Sequence, residues 1–141
     1  IIIHDRFIDD KYIKILNNLE NLLLPKNKML TDRGIKNLNN LKIIELNYNK
    51  HISNESLINK INLKKLSLVH NKKINDEAFK NINNLEFLNL GYNNNRKLKL
   101  EFIKYNINLK TLIIYRKKNI TEEIKNIIEN IEFKVTPCIK F

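Results

Sequence analysis

The sequence predicts an α/β solenoid, a parallel sheet backed by short helices, on three observations. These are a leucine spacing that recurs along the chain, a period-2 alternation inside each recurrence, and a helix-capping pattern after it. Leu19, Leu41, Leu63 and Leu85 stand 22 residues apart, Leu109 follows after 24 and Ile131 after another 22. Self-similarity at such a period marks a repeat array, in which no unit buries its apolar face alone and stability comes from stacking. We therefore expect a single array over residues 1–141, with about six repeats opening near those positions and a partial repeat before Leu19. The apolar ends, Ile1-Ile2-Ile3 and Ile139 with Phe141, predict that the stacking continues beyond them.

The strand comes first in each repeat. The chain reads Leu19-x-x-Leu22-x-Leu24-x-x-Asn27, Leu41-x-x-Ile44-x-Leu46-x-x-Asn49, Leu63-x-x-Leu66-x-Leu68-x-x-Asn71 and Leu85-x-x-Leu88-x-Leu90-x-x-Asn93. Leu109-x-x-Leu112-x-Ile114-x-x-Lys117 and a shortened Ile131-x-Phe133-x-Val135-x-x-Cys138 follow. The last two apolar residues alternate inward at strand period, and the first turns in from the preceding loop. The column Asn27, Asn49, Asn71, Asn93 falls where the chain leaves the strand and backbone groups lose their ladder partners. An amide both donates and accepts, so we read the column as a structural ladder. On that reading Asn49→Ala or Asn71→Ala costs roughly 1–3 kcal/mol each. Lys117 cannot accept, which predicts an irregular fifth turn.

The helical element comes after the turn. An apolar residue precedes a short capping residue and then an acid or amide in Ile8-Asp9-Asp10, Leu30-Thr31-Asp32, Ile52-Ser53-Asn54, Ile74-Asn75-Asp76 and Ile120-Thr121-Glu122. Asp, Thr, Ser and Asn cap helix N-termini, and acids favour the first turn. Phe79 and Ile82, three residues apart, then face the strand core. The repeat with the two-residue insertion, around Asn94-Asn95-Arg96-Lys97, lacks the cap at Lys99-Leu100.

This pattern resembles the leucine-rich repeat family over essentially the whole chain. Leu30-Thr31-Asp32-Arg33-Gly34-Ile35 is similar to the signature of its cysteine-containing subfamily, found in substrate receptors of F-box ubiquitin ligases, although Asn stands where that subfamily usually has Cys, except at Cys138. The resemblance implies a parallel concave sheet with short helices on the convex side. It also implies a non-enzymatic protein–protein interaction module that holds its partner on the concave face, and substrate recognition for a ubiquitin ligase if an F-box precedes Ile1.

Composition narrows the alternatives. A net charge of +11 suits a polyanion or nucleic-acid partner, which gains affinity by counterion release. However, 26 Asn, 24 Ile and 22 Lys against four Arg is also the signature of A/T-rich codons and resembles the usage of giant DNA viruses. A base-reading surface would use more arginine. The lone Cys138 forms no internal disulfide, so we expect an intracellular, cytoplasmic protein. No apolar run approaches the roughly 20 residues that span a bilayer. His4, His51 and His70 are dispersed, Glu122-Glu123 suits a helix start, and two glycines, Gly34 and Gly91, do not make a phosphate loop. We expect no metal, no cofactor and no catalysis.

Function is then expected on the surface. One column, immediately before the Asn position, reads Lys26, Tyr48, His70, Tyr92, Arg116, and its neighbours include Phe87 and Tyr115. Tyr and Arg combine large area with a directed polar group, which makes Tyr48, His70, Phe87, Tyr92, Tyr115 and Arg116 the candidate partner contacts. Pointing away from the core, the column should be truncatable without loss of stability. A second surface lies just past the Asn column, where Lys28, Lys50, Lys72, Lys73, Arg96, Lys97 and Lys118 form a basic edge suited to an acidic partner or nucleic acid, although solvated lysine supplied by codon bias is the simpler account of such a run.

Overall fold

A computed structural model of the chain describes residues 7–115 and 120–135. Arg116, Lys117, Lys118, His4, Cys138 and the apolar ends lie outside those residues. Among the described residues six short strands form one sheet in sequence order, all parallel, namely β1 (Asn21–Leu23), β2 (Ile43–Glu45), β3 (Lys65–Ser67), β4 (Phe87–Leu90), β5 (Thr111–Ile114) and β6 (Glu132–Val135). Register follows the sequence period, Leu22 opposite Ile44, Ile44 opposite Leu66, Leu66 opposite Leu88 and Leu88 opposite Leu112. α1 (Asp10–Ile13) precedes β1, and between successive strands lie α2 (Asp32–Ile35), the 3-10 turns η1 (Asn54–Leu57), η2 (Asp76–Phe79) and η3 (Glu101–Tyr105), and α3 (Glu122–Ile128). The helices are shorter than two full turns, so tertiary packing rather than propensity holds them. An α/β chain whose strands stack in order on a fixed period is compatible with a solenoid of repeats.

One continuous core lies between the sheet and the helical layer. Leu22, Ile44, Leu66, Leu88 and Leu90 enter it from the strands and Leu24, Leu46 and Leu68 from the residues just past them; Ile35, Leu57, Phe79, Ile103 and Ile124 enter it from the helices. The Phe79 and Phe102 rings stack at 3.9 Å inside it. Each buried Leu contributes about 1.5–3 kcal/mol, which is why a few inward residues per short strand suffice. The opposite sheet face, with Leu23, Ile43, Lys65, Phe87 and Ile113, is covered by no other element among the described residues.

Every capping residue named from the sequence caps. Asp9, Thr31, Ser53 and Asn75 each accept from the amide two residues on, and Thr121 accepts from Ile124 N. The acid or amide after the cap has a role the sequence did not announce, because it reaches forward to the next repeat. Asp10 accepts from Thr31 N at 2.7 Å and Thr31 Oγ1 at 2.5 Å, and Asp32 accepts from Ser53 N at 2.8 Å and Ser53 Oγ at 2.6 Å. Asn54 accepts from Asn75 N at 3.1 Å. In the uncapped repeat Asp76 takes the bare amides of Lys99, Leu100 and Glu101, which lets Leu100 sit left-handed at φ 66° without a cap of its own.

Gly34 shows how tightly these helices approach. A Cβ there would lie 2.6 Å from Asp10 Oδ1, 2.8 Å from Leu30 Cδ1 and 3.0 Å from Asp10 Cα. Asp10 cannot retreat without releasing Thr31. Alanine normally stabilises a helix relative to glycine by about 1 kcal/mol, so the sign of Gly34→Ala is diagnostic. We expect a net loss of roughly 1–3 kcal/mol in a urea titration. An unchanged or higher midpoint would mean that α1 and α2 pack more loosely than this.

Candidate interaction site at the C-terminal rim of the sheet

The strands end early, and the turns after them build the site. In each of four repeats the residue before the Asn column is left-handed, Lys26 at φ 61°, Tyr48 at 61°, His70 at 61° and Tyr92 at 56°. Positive φ at the third turn position is what a type II turn requires, normally of Gly or Asn. The turn closes by Asn49 N donating to Leu46 O and Asn71 N donating to Leu68 O. Meanwhile the ladder amide keeps pairing beyond the strand. Lys26 N donates to Asn47 O, Tyr48 N to Val69 O and His70 N to Gly91 O. The side chains of these residues are therefore held at strand spacing.

The result is a stack of rings. Tyr48 and His70 lie 4.6 Å apart between centroids, His70 and Tyr92 also 4.6 Å, and Tyr115 continues the series 5.7 Å from Tyr92, tilted by 34°. Lys26 Nζ sits over the other face of Tyr48 at 5.8 Å. Tyr115 follows Ile114, which pairs with Leu90, and so falls in register with Gly91 rather than Tyr92.

Two expectations need correction here. The column does not lie on the concave sheet face, because β2 ends at Glu45, before Tyr48; it stands on the rim where the strands end. Stacked rings contribute about 0.5–1.5 kcal/mol per pair beyond burial, so truncation in the stack is expected to cost some stability. Phe87 is not brought to the stack. It opens β4 on the uncovered sheet face, in a shallow depression with Ile43, Glu45, Lys65 and Ser67.

Behind the rings the Asn column is buried. Asn27 Nδ2 donates to Ile8 O at 2.8 Å, Asn71 Nδ2 to Ile52 O at 2.8 Å and Asn93 Nδ2 to Ile74 O at 3.2 Å. The Oδ1 atoms accept from the loop after the turn, Asn27 from Met29 N and Leu30 N, Asn71 from Lys73 N and Ile74 N. Asn49 Oδ1 accepts from His51 N at 3.0 Å, but its buried Nδ2 meets no acceptor among the described residues.

The basic edge flanks the stack. Lys28, Lys50, Lys72, Lys73, Arg96 and Lys97 are exposed, and none forms an ion pair with a described residue. The N-terminal rim is different. There Lys42 pairs with Glu20 at 2.6 Å, and Glu86 lies between Lys64 at 3.3 Å and Lys110 at 3.6 Å. The Lys64 ammonium, with Lys110 beyond it, holds the Glu86 carboxyl below the usual carboxylate range.

Among the described residues no three His, Cys, Asp or Glu side chains are grouped to hold a metal ion, and no helix is long and apolar enough to cross a membrane. No protein-family model matches the sequence, and no curated protein is significantly similar to it.

Proposed function

We propose that this chain is a leucine-rich repeat array acting as a non-enzymatic protein-binding module, with the ring stack of the C-terminal rim as its principal contact. The observation that carries the reading is the continuous Tyr48–His70–Tyr92–Tyr115 stack. The first three of these rings stand on left-handed backbone, at a cost of roughly 1–2 kcal/mol per non-glycine residue, a conformation that turn chemistry alone would assign to Gly or Asn. Large rings kept at such positions supply a rigid amphipathic surface of the kind that dominates binding energy. A substrate receptor of the F-box type is the finer form of this reading, supported by Leu30–Ile35, and the single Cys138 supports an intracellular, cytoplasmic setting.

The test uses asparagine rather than alanine, because Asn tolerates left-handed backbone and leaves the turn intact. Partner capture from a cell lysate by the full chain, Tyr48→Asn, Tyr92→Asn and the double variant is compared with thermal melts. Tyr92, with a ring on either side, should cost roughly 2 kcal/mol or more of binding. Stability should fall by only about 1 kcal/mol. Undiminished capture by a folded double variant would remove the stack from the contact surface.

A polyanion surface on the basic edge is the second reading, favoured by the absence of ion pairs there among the described residues. On that reading nuclease treatment of the lysate abolishes capture, and binding is sequence-independent and falls steeply with salt.

A further inference from the structure

The two rims of the sheet carry lysines in opposite states. On the N-terminal rim they face Glu20 and Glu86. On the C-terminal rim the segments 26–30, 48–52, 70–74 and 92–98 contain no Asp or Glu at all, and Lys28, Lys50, Lys72, Lys73, Arg96 and Lys97 form no ion pair with a described residue. Codon bias supplies lysine to both rims alike and does not produce this segregation.

The rings beside those cations add a second sign-dependent element. An aromatic ring is negative over its face and positive at its edge. In the stack the faces of His70 are covered by Tyr48 and Tyr92, and one face of Tyr48 is approached by Lys26. The stack therefore offers a ligand mainly ring edge, together with phenol and imidazole polar groups. Edges favour anions. Nucleobases need open faces on which to stack, and here the interior faces are already used.

We propose that the C-terminal rim takes an acidic polypeptide segment lying across the repeats, its carboxylates between the ring edges of Tyr48, His70 and Tyr92 and the unpaired Lys28, Lys50 and Lys72. The inference rests on the protein-binding reading above and names the chemistry of the partner. Its reach is from the first described turn to the insertion at Asn94–Lys97.

The probe is a fluorescein-labelled oligoglutamate peptide, titrated against the full chain at low and physiological salt. An oligothymidylate of equal charge runs beside it. Lys50→Gln/Lys72→Gln is compared with Lys64→Gln/Lys110→Gln, which removes the same charge from the other rim at little cost to folding, because exposed ion pairs contribute little. We expect the first pair to weaken peptide binding at least ~10-fold and the second less than ~2-fold, with Tyr92→Asn also weakening it and the oligonucleotide binding less tightly. Equal losses from both pairs would reduce the effect to net charge and overturn the proposal. Tighter binding of the oligonucleotide, lost in Lys50→Gln/Lys72→Gln, would overturn it in favour of a nucleic-acid surface. A lysate partner that survives Lys50→Gln/Lys72→Gln but is lost with Tyr92→Asn would overturn the acidic segment while leaving the protein-binding reading intact.

Discussion

Asn71→Ala is expected to lower the unfolding free energy by about 3 kcal/mol, and Asn49→Ala by about 1 kcal/mol, although the two residues occupy equivalent turns. Removing the Asn71 amide strands Ile52 O, Lys73 N and Ile74 N, of which Ile52 O and Ile74 N are buried. Removing the Asn49 amide strands His51 N and at the same time deletes an Nδ2 that is already buried without an acceptor among the described residues. A buried donor with no partner carries its own desolvation cost, so its loss offsets part of the damage. In the sequence alone the two positions of the column are indistinguishable. Denaturant midpoints of the two variants decide the matter; equal shifts would mean that Asn49 is as well satisfied as its neighbours.

The features legible in the sequence are those that recur with residue type. Leu22 and Leu24, Ile44 and Leu46, Leu66 and Leu68 are buried at strand period, and the residues named as caps accept from helix amides. Apolar alternation and capping are local, and each depends on chemistry the residue cannot hide. The rim is not legible in the same way. The left-handed backbone at Lys26, Tyr48 and His70 is set by the amides that continue pairing to Asn47, Val69 and Gly91, while the side chains themselves give no turn signal. With that turn hidden, alternation alone puts the column on the sheet face and does not reveal the stacking of its rings.

Composition undervalues asparagine for a related reason. Its abundance reads as codon drift, yet Asn40, Asn62 and Asn84 each donate to a backbone carbonyl of the preceding repeat, Asn17 O, Asn39 O and Ile61 O. Asn47 Oδ1 accepts from Ser67 Oγ and Val69 N in the next repeat at 2.8 Å each. Asn106, buried, ties Ile82 O to Leu85 N. Amides at the same register of successive repeats meet at nearly constant distance, so a biased codon pool and a structural need coincide. Spacing alone could have exposed the column at Asn18, Asn40, Asn62, Asn84 and Asn108, each one residue before a repeat leucine.

Lys60→Met is expected to stabilise the protein by roughly 2–3 kcal/mol at neutral pH, the opposite of what removing a hydrogen-bonded charge from a surface would do. Lys60 occupies the register filled by Leu38 and Ile82 in the flanking repeats and is fully buried. Its ammonium donates only to carbonyls, Lys36 O at 2.9 Å and Ile58 O at 3.3 Å, with no carboxylate paired to it among the described residues. To place the Ile58 carbonyl the chain leaves the helix there, ψ 134°, and Asn59 turns left-handed at φ 61°, whereas Lys36 and Lys80 after their own helices stay right-handed. Desolvation pushes the Lys60 amine from 10.5 down to about 8. The sign comes from linkage. Below about pH 8 the amine is protonated in folded and unfolded chains alike, and the full cost of burying the charge is present. Between about 8 and 10.5 the folded chain has released the proton that the unfolded chain still binds, so stability rises with pH through that window and levels off above it. Other groups titrate over the same range, but they are common to both proteins. The measurement is therefore the difference between Lys60→Met and the parent in chemical denaturation at successive pH values. That difference should be largest near neutrality and shrink toward pH 10.5. A constant difference across the window, or a methionine variant less stable than the parent at neutral pH, would show that the ammonium reaches water and that the core of the second repeat is open at this point.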